Sequence, residues 1–172
     1  MKIILKPTGP IQRGLLEDLK TKLNVIFGLA TEVGPVVQDL ETAFDKRRGQ
    51  YVSWVLLKLI EPEAGRDKTL GITDVDLYAR DLNYVFGQAD PTAQVAVISL
   101  ARLKPEFEGG QPDDLLLRER VLKEAVHELG HTFGLKHCED QHCVMHFSNS
   151  LVDTDRKGAI FCPKCRPQLR LM

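Results

Sequence analysis

The chain has 172 residues, 43% of them hydrophobic, which suffices for one compact unit with a sizeable buried core. Its 23 basic and 24 acidic side chains leave a net charge of −1, so no general affinity for nucleic acid is implied. No apolar run reaches the roughly 18 residues of a membrane span, and the opening Met1-Lys2-Ile3-Ile4-Leu5 is too short an apolar stretch for a signal peptide.

In chain order, Lys2 to Leu5 reads as a buried strand. Pro10 through Phe27 carries Leu15, Leu16, Leu19, Leu23 and Ile26 at helical spacing, with Pro10 suited to a first turn. Thr31 to Val37 predicts a second strand, interrupted by Gly34-Pro35. The basic cluster Lys46-Arg47-Arg48 before Gly49 reads as a solvated helix end or loop rather than a binding patch. Gln50 to Glu61 has the pattern of a helix that ends before Pro62. Leu70 to Tyr78 and Leu82 to Gly87 are short strand candidates, followed by Ala93 to Leu100, which is apolar enough for burial on both faces. Strands alternating with helices predict an α/β fold with a largely parallel sheet.

A further helix begins near Asp113 or Asp114, which follow Pro112 and can cap it. Along it Leu115, Leu122, Ala125, Val126, Leu129 and Phe133 fall within an arc of about 100°, roughly opposite His127 and His131. One side is thus available to the sheet and the other to chemistry.

That chemistry is spelled out by His127-Glu128-Leu129-Gly130-His131-Thr132-Phe133-Gly134-Leu135-Lys136-His137, which fits H-E-x-x-H-x-x-G-x-x-H. At about 100° per residue, His127 and His131 stand one turn apart on one helix face, placed to share a Zn²⁺. Gly134 can adopt the left-handed conformation that ends a helix, letting the chain double back to bring in His137. Three protein ligands leave a fourth position open, the arrangement of a catalytic zinc, and Glu128 is then the base for a zinc-bound water.

The four cysteines of the chain, Cys138, Cys143, Cys162 and Cys165, have the spacing C-x4-C…C-x2-C. Two close pairs across a longer loop suit a structural four-cysteine zinc site, the second Zn²⁺ of the chain; a pair of disulfides is the alternative. His142 precedes Cys143 and could replace a cysteine there, and His146 could line a substrate cleft or serve as a hydrogen-bonded loop histidine.

The two motifs overlap, and together with Met145 they resemble the archaemetzincins, a branch of the metzincin metalloproteases. The match is strict over about the last third of the chain. The resemblance implies an α+β zincin-type fold: a mixed, mostly parallel sheet with one antiparallel edge strand, an active-site helix and a C-terminal four-cysteine subsite. It places Met145 at the Met-turn beneath the catalytic zinc, where it packs rather than ligates. It implies peptide-bond hydrolysis, with peptide laid along an edge strand, here expected at Leu82 to Gly87. The expected organisation is a single catalytic domain over 1–172, with the sheet and backing helices in 1–112. The active-site helix and third ligand then occupy 113–137, and the Met-turn and four-cysteine segment 138–172. A cytoplasmic monomer acting on peptide or protein, with no nucleic-acid or membrane partner, is the expectation. Two alternatives stay open: a non-catalytic zinc-binding interaction module, and a zinc hydrolase of a non-peptide amide.

Overall fold

The structure is a computed structural model that describes residues 1–61 and 66–169. Its elements in chain order are β1 (Ile3–Thr8), α1 (Arg13–Phe27), β2 (Thr31–Val33), β3 (Phe44–Asp45), β4 (Gln50–Val52) and α2 (Ser53–Ile60). Then come β5 (Lys68–Thr73), β6 (Leu77–Tyr78), β7 (Gly87–Asp90), β8 (Val95–Ser99), α3 (Asp114–Thr132) and α4 (Leu151–Arg156). A five-stranded sheet has the order β2-β1-β5-β8-β7, parallel except for β7, which runs antiparallel at one edge. A smaller sheet has the order β3-β4-β6.

Side-chain alternation along the central strands builds a three-layer body. Leu70, Ile72, Ala96 and Ile98 point to one face, where α1 contributes Leu15, Leu19, Leu23 and Phe27 and α3 contributes Ala125, Val126 and Leu129. Val95 and Val97 point to the other, against Leu56, Leu57 and Ile60 of α2. Every residue of β8 is therefore buried, as its unbroken apolar run predicts. Helix ends are tied to the sheet by lysines: Lys6 donates to Ile60 O at the end of α2, and Lys68 to Thr132 O at the end of α3. A cation at a helix C-terminus meets the negative end of the helix dipole and satisfies a free carbonyl.

Several sequence expectations need correction. Leu82 to Phe86 does not form the edge strand; it is an irregular segment touching the smaller sheet by one bridge, Leu77 to Val85, and the edge is β7. Gln50 to Val52 is strand, so the helix expected from Gln50 starts only at Ser53; Pro62, expected to follow its end, lies outside the described residues. The strand expected over Leu70 to Tyr78 is two strands in two sheets, β5 and β6. Leu115 is exposed, because the first turn of α3 overhangs the core. Lys46-Arg47-Arg48 is an exposed turn, as expected, but Arg48 is also used within the fold. Its guanidinium donates to Leu82 O and Asn83 O and stacks 4.0 Å over the Tyr78 ring. Charge in sequence reveals none of these contacts, since each depends on a partner more than twenty residues away.

Gly71 sits in β5 where α2 crosses the sheet. A Cβ there would lie 2.5 Å from Ile60 Cδ1 and 3.3 Å from Val97 Cγ2. We expect Gly71→Ala to cost about 1–3 kcal/mol through overpacking, read as a lower denaturant midpoint with an unchanged slope.

Candidate active site and metal centre

Helix α3 starts at Asp113, whose carboxylate accepts the Leu116 N–H at 3.0 Å, so the expected cap is present. Its end is a Schellman motif: Gly134 has φ 92°, its N–H donates to His131 O, and the Leu135 N–H donates to Gly130 O. That reversal brings His137 opposite His127 and His131, with ring centroids 5.3 Å and 4.9 Å away. One ligand-capable nitrogen from each of the three lies within 4.8 Å of the others.

Backbone carbonyls set the ring orientations. His127 Nδ1 lies 2.8 Å from Val144 O and His131 Nδ1 lies 2.9 Å from Leu135 O. A carbonyl only accepts, so each Nδ1 carries the proton and each Nε2 presents a lone pair. Those two Nε2 atoms face each other at 3.2 Å. Zn–N bonds of about 2.0–2.1 Å at a tetrahedral angle would place two nitrogens about 3.3–3.4 Å apart, so the histidines fit one zinc. Burial pushes His127 well below the ordinary histidine range and lowers His131 and His137 as well, which keeps all three neutral and free to ligate.

Glu128 is buried beside this trio. Burial first, and the like charge of Glu124 second, push it up to about 8. Its side chain lies against Gly87, where a Cβ would be 2.6 Å from Glu128 Cγ and 2.8 Å from Oε1. Met145 is fully buried and packs against α3, where its sulfur occupies the space that a side chain at Gly130, next to His131, would need. Gly87 and Gly130 matter for their missing side chains, which no spacing rule flags.

The four thiols are unbonded and their sulfurs converge within 4.8 Å of one another. Cys138 and Cys162 Sγ are 3.9 Å apart, far from a disulfide and close to the roughly 3.8 Å set by tetrahedral Zn–S bonds of about 2.3 Å. Burial raises Cys143 and Cys165, the two thiols that lie deepest in the cluster. Burial also acts on Cys162, but backbone N–H donors at Cys165 and Lys164 more than offset it and bring that thiol down to about 7. His142 is exposed and outside the cluster. His146 Nδ1 lies 3.0 Å from Cys138 O, the hydrogen-bonded loop role. Cys138 N–H in turn donates to Met145 O, so the cysteine segment and the Met-turn are one structure.

The histidine helix lies across a mostly parallel sheet with an antiparallel edge, beside a C-terminal cysteine cluster. Together they define a zinc metallopeptidase of the metzincin type. Peptidase family M54 matches residues 36–171, and the chain belongs to that family. It is 44% identical over 170 residues to the archaemetzincin of Methanocaldococcus jannaschii, covering 99% of this chain and 93% of that protein. It is 42% identical over 175 residues to the archaemetzincin of Pyrococcus abyssi, covering 97% and 93%. Among solved structures, archaemetzincin from Archaeoglobus fulgidus complexed with malonate superposes with a TM-score of 0.86 at 40% identity, covering 98% of this chain and all of that one. The Methanopyrus kandleri archaemetzincin gives 0.85 at 40%, covering 97% and 92%.

Because Gly87 and Glu128 are in contact, Gly87→Ala should displace the carboxylate and leave the histidines in place. We expect zinc content to be retained and kcat to fall by about 10–10²-fold, the usual scale for a misplacement near 1 Å. Metal analysis beside initial rates on one preparation checks both.

Proposed function

We propose that the chain hydrolyses peptide bonds as a single catalytic unit, with His127, His131 and His137 holding one zinc and Glu128 handling the proton. The observation that carries this reading is the pair of lone-pair-bearing Nε2 atoms at 3.2 Å, aimed at one point beside a buried carboxylate. When bound, zinc supplies Lewis acidity toward a water molecule and a peptide carbonyl. Glu128 takes a proton from the attacking water and delivers it to the leaving amine. Its upward shift suits both of these transfers, because a carboxyl drawn toward neutral pH accepts a proton readily and returns it readily, while a dication nearby pulls the other way.

Peptide lies along the free side of β7, which ends the large sheet and offers unpaired backbone groups for strand addition. Gly87, Gln88 and Ala89 line the same cleft as the three histidines and Glu128. A second zinc in the four-cysteine cluster fixes the segment after His137. Thiolate ligands persist in a reducing compartment, so we place the protein in the cytoplasm; among the described residues no helix is long and apolar enough to cross a membrane.

Hydrolysis of a peptide library by the zinc-loaded chain, abolished by chelator and restored by zinc, is the direct test; a chain that cleaves no peptide would refute this reading. Glu128→Gln should keep its zinc and lose at least about 10²-fold in turnover, the ordinary contribution of a positioned base. Near-normal rates with verified zinc would remove Glu128 from the role.

Metal analysis under reducing conditions should approach two zinc per chain. His137 and Cys138 are neighbours, with Cα atoms about 3.8 Å apart, so the two metals share one segment. Cys165→Ser should therefore also weaken zinc at the histidines while the circular-dichroism signal of the helices persists. Unchanged affinity in a variant lacking the cysteine-bound zinc would mean the sites are adjacent but independent.

A further inference from the structure

The cleft does not end at the histidines. A cavity of about 200 Å³ continues past Glu128 and Gly87 to Glu124, one turn earlier on α3, with Tyr84, Phe86 and Phe147 among its walls. The Tyr84 hydroxyl donates to Asn149 O at 2.8 Å and ties two of those walls together. The aromatic rings suit an aliphatic stem. Among the described residues the charged side chains in the lining are Glu124 and Glu128, with no lysine or arginine beside them.

Glu124 is built in rather than adventitious. It is 3% exposed, yet lines the cavity. Its Oε1 accepts the Thr154 hydroxyl at 3.1 Å and lies 2.9 Å from Nζ of Lys157, itself wholly buried. That approach is off the hydrogen-bond direction, so the contact is an ion pair without an aligned bond. Both contacts fall on Oε1; Oε2 accepts no hydrogen bond from the described residues. A buried pair of charges is costly and adds little stability over apolar residues of the same size, so its presence at the end of a cavity calls for a use.

We propose that Glu124 selects a lysine or arginine side chain on the residue that carries the leaving amine. This rests on the peptidase reading above: Glu128 delivers its proton to that amine, so the side chain beside it enters the cavity beyond Glu128. Its methylenes pack on Tyr84 and Phe147, and its cationic head donates to Glu124 Oε2. An apolar side chain of the same length leaves the carboxylate without that donor, the situation in which sites discriminate most sharply.

The test compares peptides that differ only after the cut, carrying lysine, its uncharged isostere norleucine, or acetyl-lysine. For the zinc-loaded chain, lysine should exceed both others in kcat/KM by at least about tenfold. The double variant Glu124→Met with Lys157→Met removes the ion pair as a unit, with no buried ammonium left over, and should cut norleucine at least as well as lysine. Equal use of lysine and norleucine by the unmodified chain overturns the proposal, whether or not the double variant folds. So does a preference for lysine that survives in a folded, zinc-loaded double variant. The same three peptides are also titrated calorimetrically into zinc-loaded Glu128→Gln, where tighter binding of lysine is expected. If no peptide is cleaved at all, the peptidase reading fails, and this titration alone decides whether the cavity selects a cation.

Discussion

Two backbone carbonyls, Val144 O and Leu135 O, hold the imidazoles of His127 and His131 so that their bare nitrogens converge. The rest of the molecule is arranged around that constraint. Leu135 O is in place only because Gly134 takes a left-handed turn and reverses the chain at the end of α3. Val144 O is in place because the following segment runs under the helix, with the Val144 N–H donating to Ile160 O and the Met145 sulfur lodged against Gly130. Neither carbonyl belongs to the sheet. The sheet's part is to fix the helix itself, through Ala125, Val126 and Leu129 in the core and Lys68 on the terminal carbonyl of Thr132.

The same helix bears an unusual load of buried charge. Arg120 pairs with Asp155 at 2.7 Å through two nitrogens and donates to Leu103 O, while Glu124 meets Thr154 and Lys157. All but Leu103 of these partners lie on or just after α4, whose start is fixed by Asp153 accepting the N–H groups of Asn149 and Ser150. Removing one member of such a pair strands a charge in the interior, whereas removing both is far milder. Helix α4 is thus a charged buttress behind α3, the helix that carries His127 and His131.

Much of this was legible in the sequence, for identifiable reasons. The histidines, Glu128 and the four cysteines lie at fixed local spacings, and the structure brings each set together. The unbroken apolar run of β8 and the heptad-like leucines of α1 announced burial directly. What escaped depends on distant partners or on absent atoms. Gly87 and Gly130 are informative only through what would collide with a Cβ. Leu82 to Phe86 looks like a strand because Tyr84, Val85 and Phe86 are residue types that favour strands, yet its neighbours give it a single bridge. Glu124 was within reach: with His127, Glu128 and His131 it follows the i, i+3, i+4, i+7 pattern of one helix face. Its partner Lys157 stands thirty-three residues later and carries no local signal.

The two walls of the cleft are held by different means. The floor is a helix sunk in the core, its histidines bound to backbone. The irregular upper wall from Leu82 to Phe86 has backbone bonds at Val85 and Phe86 and is otherwise held by side chains: Arg48 holds Leu82 O and Asn83 O, Gln50 also reaches Asn83 O, and Arg102 stacks 4.2 Å over Tyr84. Its course is therefore set by residues outside the histidine cluster. A change at Arg48, Gln50 or Arg102 would shift the upper wall while leaving the backbone anchors of His127 and His131 in place.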